Sequence, residues 1–176
     1  MKRLSRITIV LFALMIGSTS RGGSSDVEIH CAAKKVDEKR NPGSGEGSVA
    51  TTKERWVYDV TVENKTFKEQ ANIEIKYIIF VNGERLGQKA AAAPAMRRQS
   101  GSVTLPSLKS HEKKALATDP IELKKANLVG GYYYPSGAKP GAQDALAGLW
   151  VRVYQDGQQI GEYANPSTLL REKWEQ

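Results

Sequence analysis

The feature that most constrains this chain is a two-residue alternation that recurs along it. Ile73, Ile75, Tyr77, Ile79 and Val81 alternate with Asn72, Glu74, Lys76, Ile78 and Phe80. A period of two places each set on one face of a β-strand. The polar face gives way to Ile78 and Phe80, so the far end of this strand is expected to be covered on both sides. Trp56, Tyr58, Val60 and Val62 interleave with Val57, Asp59, Thr61 and Glu63, giving one face of aromatic and β-branched residues. Val27, Ile29, Cys31 and Ala33 repeat the pattern. So do Ala147, Leu149, Val151 and Val153, set against Leu146, Gly148, Trp150, Arg152 and Tyr154. Shorter strands are predicted at Ser102–Leu105 and Lys114–Thr118, with Ile121 and Leu123 continuing at an edge.

Turn chemistry punctuates these runs. Asn41–Ser48 (NPGSGEGS) is a turn-rich loop, and Asn64–Glu69 is a short polar connection. Asn82-Gly83 and Asp156-Gly157 both tolerate positive φ and predict tight hairpins, with returning strands at Glu84–Gln88 and Gln159–Tyr163. Lys89–Gln99 (KAAAAPAMRRQ) is Ala-rich, but Pro94 interrupts it and a loop is predicted. Asn127–Gln143 is a long loop of Gly, Pro and Tyr. Asn165-Pro166 reads as an N-cap followed by Pro at the first helical position, opening a short helix on which Leu170 and Trp174 share a face.

The expected fold is all-β: one antiparallel sandwich of seven or eight strands over 27–176, closed by a short C-terminal helix. The strands Trp56–Val62, Ile73–Val81 and Leu149–Tyr154 give the chain a pattern that resembles immunoglobulin-like or fibronectin-III-like sandwiches over Val27–Tyr163. It is similar to exported bacterial proteins of that kind, some of which accompany pilus or surface-assembly components. The paired cysteines of antibody-type domains are absent, so the resemblance implies no disulfide and carries no site residue across.

The N-terminus points to export. Lys2, Arg3 and Arg6 precede the apolar run Ile7–Ile16, and Gly17, Ser18, Thr19 and Ser20 supply small residues. This is the order of a cleaved signal peptide over 1–20, followed by a flexible lead-in over 21–26. The run is shorter than the roughly 20 residues that span a bilayer. Cys31 lies too far beyond it for a lipid anchor, so a secreted or periplasmic chain without stable membrane insertion is expected. Removing Lys2, Arg3 and Arg6 leaves 23 basic and 19 acidic residues, which weakens the case for a nucleic-acid partner.

Reactive constellations are scarce. The two histidines, His30 and His111, stand far apart, and a zinc site needs several Cys or His ligands. His30 and Cys31 are strand neighbours and point to opposite faces, which opposes a nucleophilic dyad. Ser110-His111-Glu112 is a turn, no G-x-S-x-G elbow occurs, and Gly130-Gly131 lacks a phosphate-cradle context. Asp37-Glu38 falls in the charged stretch Lys34–Arg40, read as a solvated strand end. No cofactor, metal or catalytic residue is expected.

Binding residues are more legible. Tyr132, Tyr133 and Tyr134 lie in the long loop, where rings either stack on a sugar or a protein partner or fold back to seal the sandwich. If the strands near Ser102 and Lys114 are consecutive and antiparallel, the Ala-rich loop with Arg97 and Arg98 shares a pole with these tyrosines. The guanidinium groups would then offer a site for carboxylates or sulfated glycans. The leading expectation is a non-enzymatic exported sandwich that binds a protein partner or assembles at the cell surface. A carbohydrate-binding module comes second and a hydrolase with an unrecognised site third.

Overall fold

The computed structural model describes residues 26–89, 92–130, 134 and 136–174. The expected signal peptide, and the expected lead-in apart from Asp26, lie outside these residues, as do Tyr132 and Tyr133. Nine strands form among the described residues: β1 (Val27–Asn41), β2 (Val49–Asn64), β3 (Gln70–Gly83), β4 (Ala95–Leu108), β5 (Lys113–Ala117), β6 (Ile121–Leu128), β7 (Gly141–Gln143), β8 (Ala145–Gln155) and β9 (Gln158–Asn165). One sheet has the order β1-β2-β6-β7, with β5 also paired to β2, and the other has the order β4-β3-β8-β9. All pairings are antiparallel, and the two sheets make a sandwich.

β5 and β6 run end to end along one side of β2. β5 pairs Lys113–Ala117 with Glu63–Asp59, and β6 pairs Ile121–Leu128 with Trp56–Val49. β6 is therefore interior, between β2 and β7, and not the expected edge. Pro120 lacks an N–H to donate to a ladder, which suits the break between β5 and β6. Thr118 holds the register at that break: its Oγ1 accepts the Tyr58 N–H at 2.9 Å and its N–H donates to Tyr58 O at 2.9 Å.

The alternating faces meet in the core. Val60, Val62, Ile73, Ile75, Tyr77, Ile79, Val81, Leu149, Val151 and Val153 pack together between the sheets. Two polar devices join the layers. The Tyr77 hydroxyl donates to Asp119 Oδ2 at 2.9 Å and accepts the Asp119 N–H at 2.8 Å. Asn64 Nδ2 donates to the carbonyls of Lys68, Leu108 and Lys109 at 2.7, 3.1 and 3.0 Å. A buried side chain satisfied this fully avoids the penalty of an orphaned polar group.

Ile78 and Phe80 are covered on the outer face as the alternation required. They pack with Trp150 and Leu169. The cover is a 3-10 turn at Ser167–Arg171 and not an α-helix. Pro166 is its N-cap residue, after a cis Asn165–Pro166 peptide, and no side chain caps it. Leu169 is the buried residue while Leu170 is 46% exposed, so the expected Leu170–Trp174 face is not formed. Trp174 instead meets Trp150 edge-on at 4.8 Å, and Arg152 lies over both rings.

Two hairpin expectations separate here. Asp156 (φ 48) and Gly157 (φ 82) make the tight β8–β9 turn. Asn82 and Gly83 instead remain inside β3, paired with Met96 and Ala95, so no turn forms there and Glu84–Gln88 is no strand. The connection runs from Glu84 to Pro94, and β4 absorbs Met96–Gln99 from the expected loop.

Candidate functional site

β1 and β2 continue well past their apolar alternation, and this overrun builds the most distinctive surface of the fold. The inward positions of β1 begin with Val27, Ile29 and Cys31. Lys35 pairs with Trp56 across the strands, and a bulge at Val36 then shifts the register. One extra residue exchanges the faces, so Glu38 and Arg40, paired with Glu54 and Thr52, continue the inward row. On β6 the inward residues Ile121 and Leu123 give way to Lys125 and Asn127, opposite Thr52 and Ala50. The inner face thus changes from hydrocarbon to hydroxyl, amide and charge.

A groove of about 530 Å³ lies on this polar face, lined by residues of β1, β2 and β6. Its walls include Lys35, Glu38, Arg40, Thr52, Glu54 and Lys125. Trp56 Nε1 donates to Glu54 Oε2 at 2.9 Å, and Lys35 Nζ lies 3.4 Å from Glu54 Oε1 and 2.6 Å from Glu38 Oε2. Arg40 Nε also donates to Glu38. The hydrogen bond from Lys35, then that from Arg40, holds the Glu38 carboxyl below the usual range, and the same bond to Glu38 raises Lys35. Lys125 enters no ion pair among the described residues.

The neighbouring loops meet at this end of the molecule. Val129 O accepts the Gly47 N–H at 3.2 Å, and the Val129 N–H donates to Ser48 O at 2.9 Å. The Gly87 N–H donates to Lys139 O, the Lys139 N–H donates to Gln88 O, and Lys139 Nζ reaches Glu84 Oε1 at 2.7 Å. The Ala-rich connection and the tyrosine loop therefore share a pole, as the strand order implied. Tyr134 is half-buried, its ring beside Gly87.

The two arginines lie on β4 and not in a loop, and they diverge. Arg97 Nη2 donates to Glu122 O and to Asp144 Oδ2, both at 2.7 Å, clasping one sheet to the other. Arg98 lies over the Phe80 ring and donates to Glu172 Oε2 at 2.7 Å and Lys173 O at 3.1 Å, holding the C-terminal segment. The structure thus brings Tyr134, but neither guanidinium, into the pole as a free group.

The remaining reactive residues lie apart. Cys31 packs against the core, and burial pushes its thiol up to about 12. His30 faces outward beside Glu28, with Nε2 3.2 Å from Oε1. His111 meets the Phe67 ring edge-on at the opposite pole. Among the described residues no group of His, Cys, Asp and Glu is placed to hold a metal, and no helix is long and apolar enough to cross a membrane.

No protein-family model matches the chain, and no curated protein does. Solved structures offer faint likenesses. A structural-genomics target, SoR45, aligns over 86% of this chain and 96% of its own at 10% identity and a TM-score of 0.33. A protein from Akkermansia muciniphila covers 78% of this chain and 70% of its own at 9% identity and a TM-score of 0.27. A β-glucosidase from Listeria innocua, solved with gluconolactone, covers 81% of this chain but 16% of its own, at 11% identity and a TM-score of 0.24. Similarity at this level identifies no family and no activity.

Proposed function

We propose that this chain is an exported, non-catalytic binding module that takes a hydroxyl-rich ligand, a glycan, on the open polar face of the β1–β2–β6 sheet. The observation that carries the reading is the groove itself. Three strands extend beyond the core only to present side chains such as Thr52, Asn127, Glu54 and Lys125 around about 530 Å³ of space. Protein-docking surfaces usually have an apolar centre with a polar rim. The exposed large apolar residues here, among them Phe67, Met96 and Leu170, are scattered over separate elements. That turns the reading from a protein partner towards a sugar. A glycosidase needs one carboxyl that keeps its proton near neutral pH, and Glu38, held below the usual carboxylate range by its bonds from Lys35 and Arg40, does not supply that group.

The test is retention on immobilised polysaccharides of varied composition. Wild-type protein is expected to be retained by at least one matrix. Thr52→Tyr, which fills the groove without altering charge, should abolish that retention, while serine at Tyr132–Tyr134 should leave it. Retention that ignores Thr52→Tyr and disappears with the tyrosines would move the site to the loop.

A further inference from the structure

Charge is distributed unevenly over this sandwich. The strand segments that form the open end, 34–41 of β1, 49–56 of β2 and 121–128 of β6, carry eight cations: Lys34, Lys35, Lys39, Arg40, Lys53, Arg55, Lys124 and Lys125. They carry four carboxylates, on Asp37, Glu38, Glu54 and Glu122. Over the rest of the described residues the two signs nearly balance, so the net positive charge of the folded part is concentrated at one end. Three of the four carboxylates are ion-paired, Glu38 and Glu54 by Lys35 and Glu122 by Lys53 and Lys124 at 3.5 Å each, while Asp37 accepts the Glu38 N–H at 2.8 Å and enters no ion pair among the described residues. Lys34, Lys39, Arg55 and Lys125 form no ion pair among the described residues, and Arg40, though bonded to Glu38, has a side chain 76% exposed.

Resting on the glycan reading, we infer that the ligand of this face is an acidic polysaccharide, a chain of carboxylate-bearing sugars. Three properties converge on that class. Lys125 lines the groove with no counter-ion among the described residues, in place to meet a carboxylate. Thr51, Thr52 and Asn127 around it supply donors and acceptors for sugar hydroxyls. The surplus of cations extends beyond the groove on both faces of the same strands, so a polymer with repeated negative charge is attracted over a wider area than one binding subsite. A neutral glycan would use the hydroxyl partners but leave this charge asymmetry without a counterpart.

Affinity electrophoresis in gels containing polygalacturonate, neutral dextran or duplex DNA tests the inference on the full chain. Polygalacturonate is expected to retard the wild-type protein strongly at low salt and weakly at 300 mM NaCl, because exposed charges are screened within about 10 Å at 0.1 M salt. Lys125→Glu should weaken that binding about tenfold. Lys114→Glu, an equal charge change remote from the groove, should weaken it less than threefold. Both side chains are exposed, and matching thermal melts confirm that the variants fold. Equal losses from the two variants would overturn the inference, because the attraction would then belong to net charge alone. Stronger retardation by DNA than by polygalacturonate would also overturn it. Dextran binding that Thr52→Tyr abolishes, with no preference for polygalacturonate, would overturn the acidic ligand and keep the glycan reading. Indifference to both sugar polymers would remove both.

Discussion

At the residue scale, individual side chains explain which chemistry the fold supports and which it forgoes. Cys31 is the only thiol of the chain, and burial holds it protonated up to about pH 12. A thiol reacts as its thiolate, so labelling of folded protein with a disulfide reagent at pH 8 should be at least tenfold slower than labelling in denaturant. The linkage has a definite sign. The unfolded thiol ionises near its ordinary value while the folded one does not, so this group lowers stability as pH rises from about 9 towards 12. A denaturation series across that range checks it, with Cys31→Ala flattening the slope by the thiol's share, while the Tyr58 and Tyr77 hydroxyls, also raised by burial, keep the remainder. Arg97 illustrates the limit of reading residues singly. Its neighbour Arg98 suggests a paired cationic patch, yet consecutive strand residues point to opposite faces. Arg97 closes the gap between the sheets, while Arg98 holds the tail. Arg97→Met should cost about 1 kcal/mol, the scale of a partly exposed ion pair, measured by chemical denaturation.

At the element scale, the alternation located the central strands because their faces differ sharply in polarity. It failed where both faces are polar. Lys34–Asn41 and Val49–Arg55 remain strand because they pair with each other and, for β2, with β6, not because they bury apolar rows. The signal that remained was compositional: Val49, Thr51 and Thr52 favour extended chain while the inward positions turn to Glu54 and Lys35. A strand that continues after its hydrophobic row ends marks a face built for something other than the core. The Asn82-Gly83 reading failed for a different reason. The pair permits a turn but does not require one, and both neighbouring strands extend through it. At Asp156-Gly157 the turn is required, and Gly157→Ala should destabilise by about 1 kcal/mol through the positive φ alone. The C-terminal segment was legible as a hydrophobic cover, but its short 3-10 geometry moved the contact from Leu170 to Leu169. Leu169→Ala is therefore expected to cost about 2–3 kcal/mol and Leu170→Ala almost nothing, compared by thermal melts of the two variants.

At the scale of the whole molecule, the strand order sets where stability and openness fall. Asn64 and Lys65 tie the chain at one pole, where Lys65 N–H donates to Asp26 O at 2.9 Å and the Asn64 amide reaches three carbonyls. At the other pole β1 and β2 run on without apolar cover, and Ala33, Lys35 and Arg40 are exposed although they face inward. The shared pole of the Ala-rich and tyrosine loops followed from counting strands. The groove beside it did not, because it depends on the Val36 bulge and on which sheet overlies which. Local stability follows buried apolar contact and protected hydrogen bonds. Amides of Arg40–Asn41 and Ala50–Thr52 should therefore exchange with solvent at least a hundredfold faster than those of Ile73–Val81, as measured by hydrogen exchange on the free protein. The same difference bears on function. A surface with little apolar support gains order from a ligand that bridges its strands. Polysaccharide bound in the groove should thus slow exchange at Arg40 and Thr52 while leaving β3 unchanged. Protection that appeared instead at the Phe67 pole would move the binding surface to the opposite end of the sandwich.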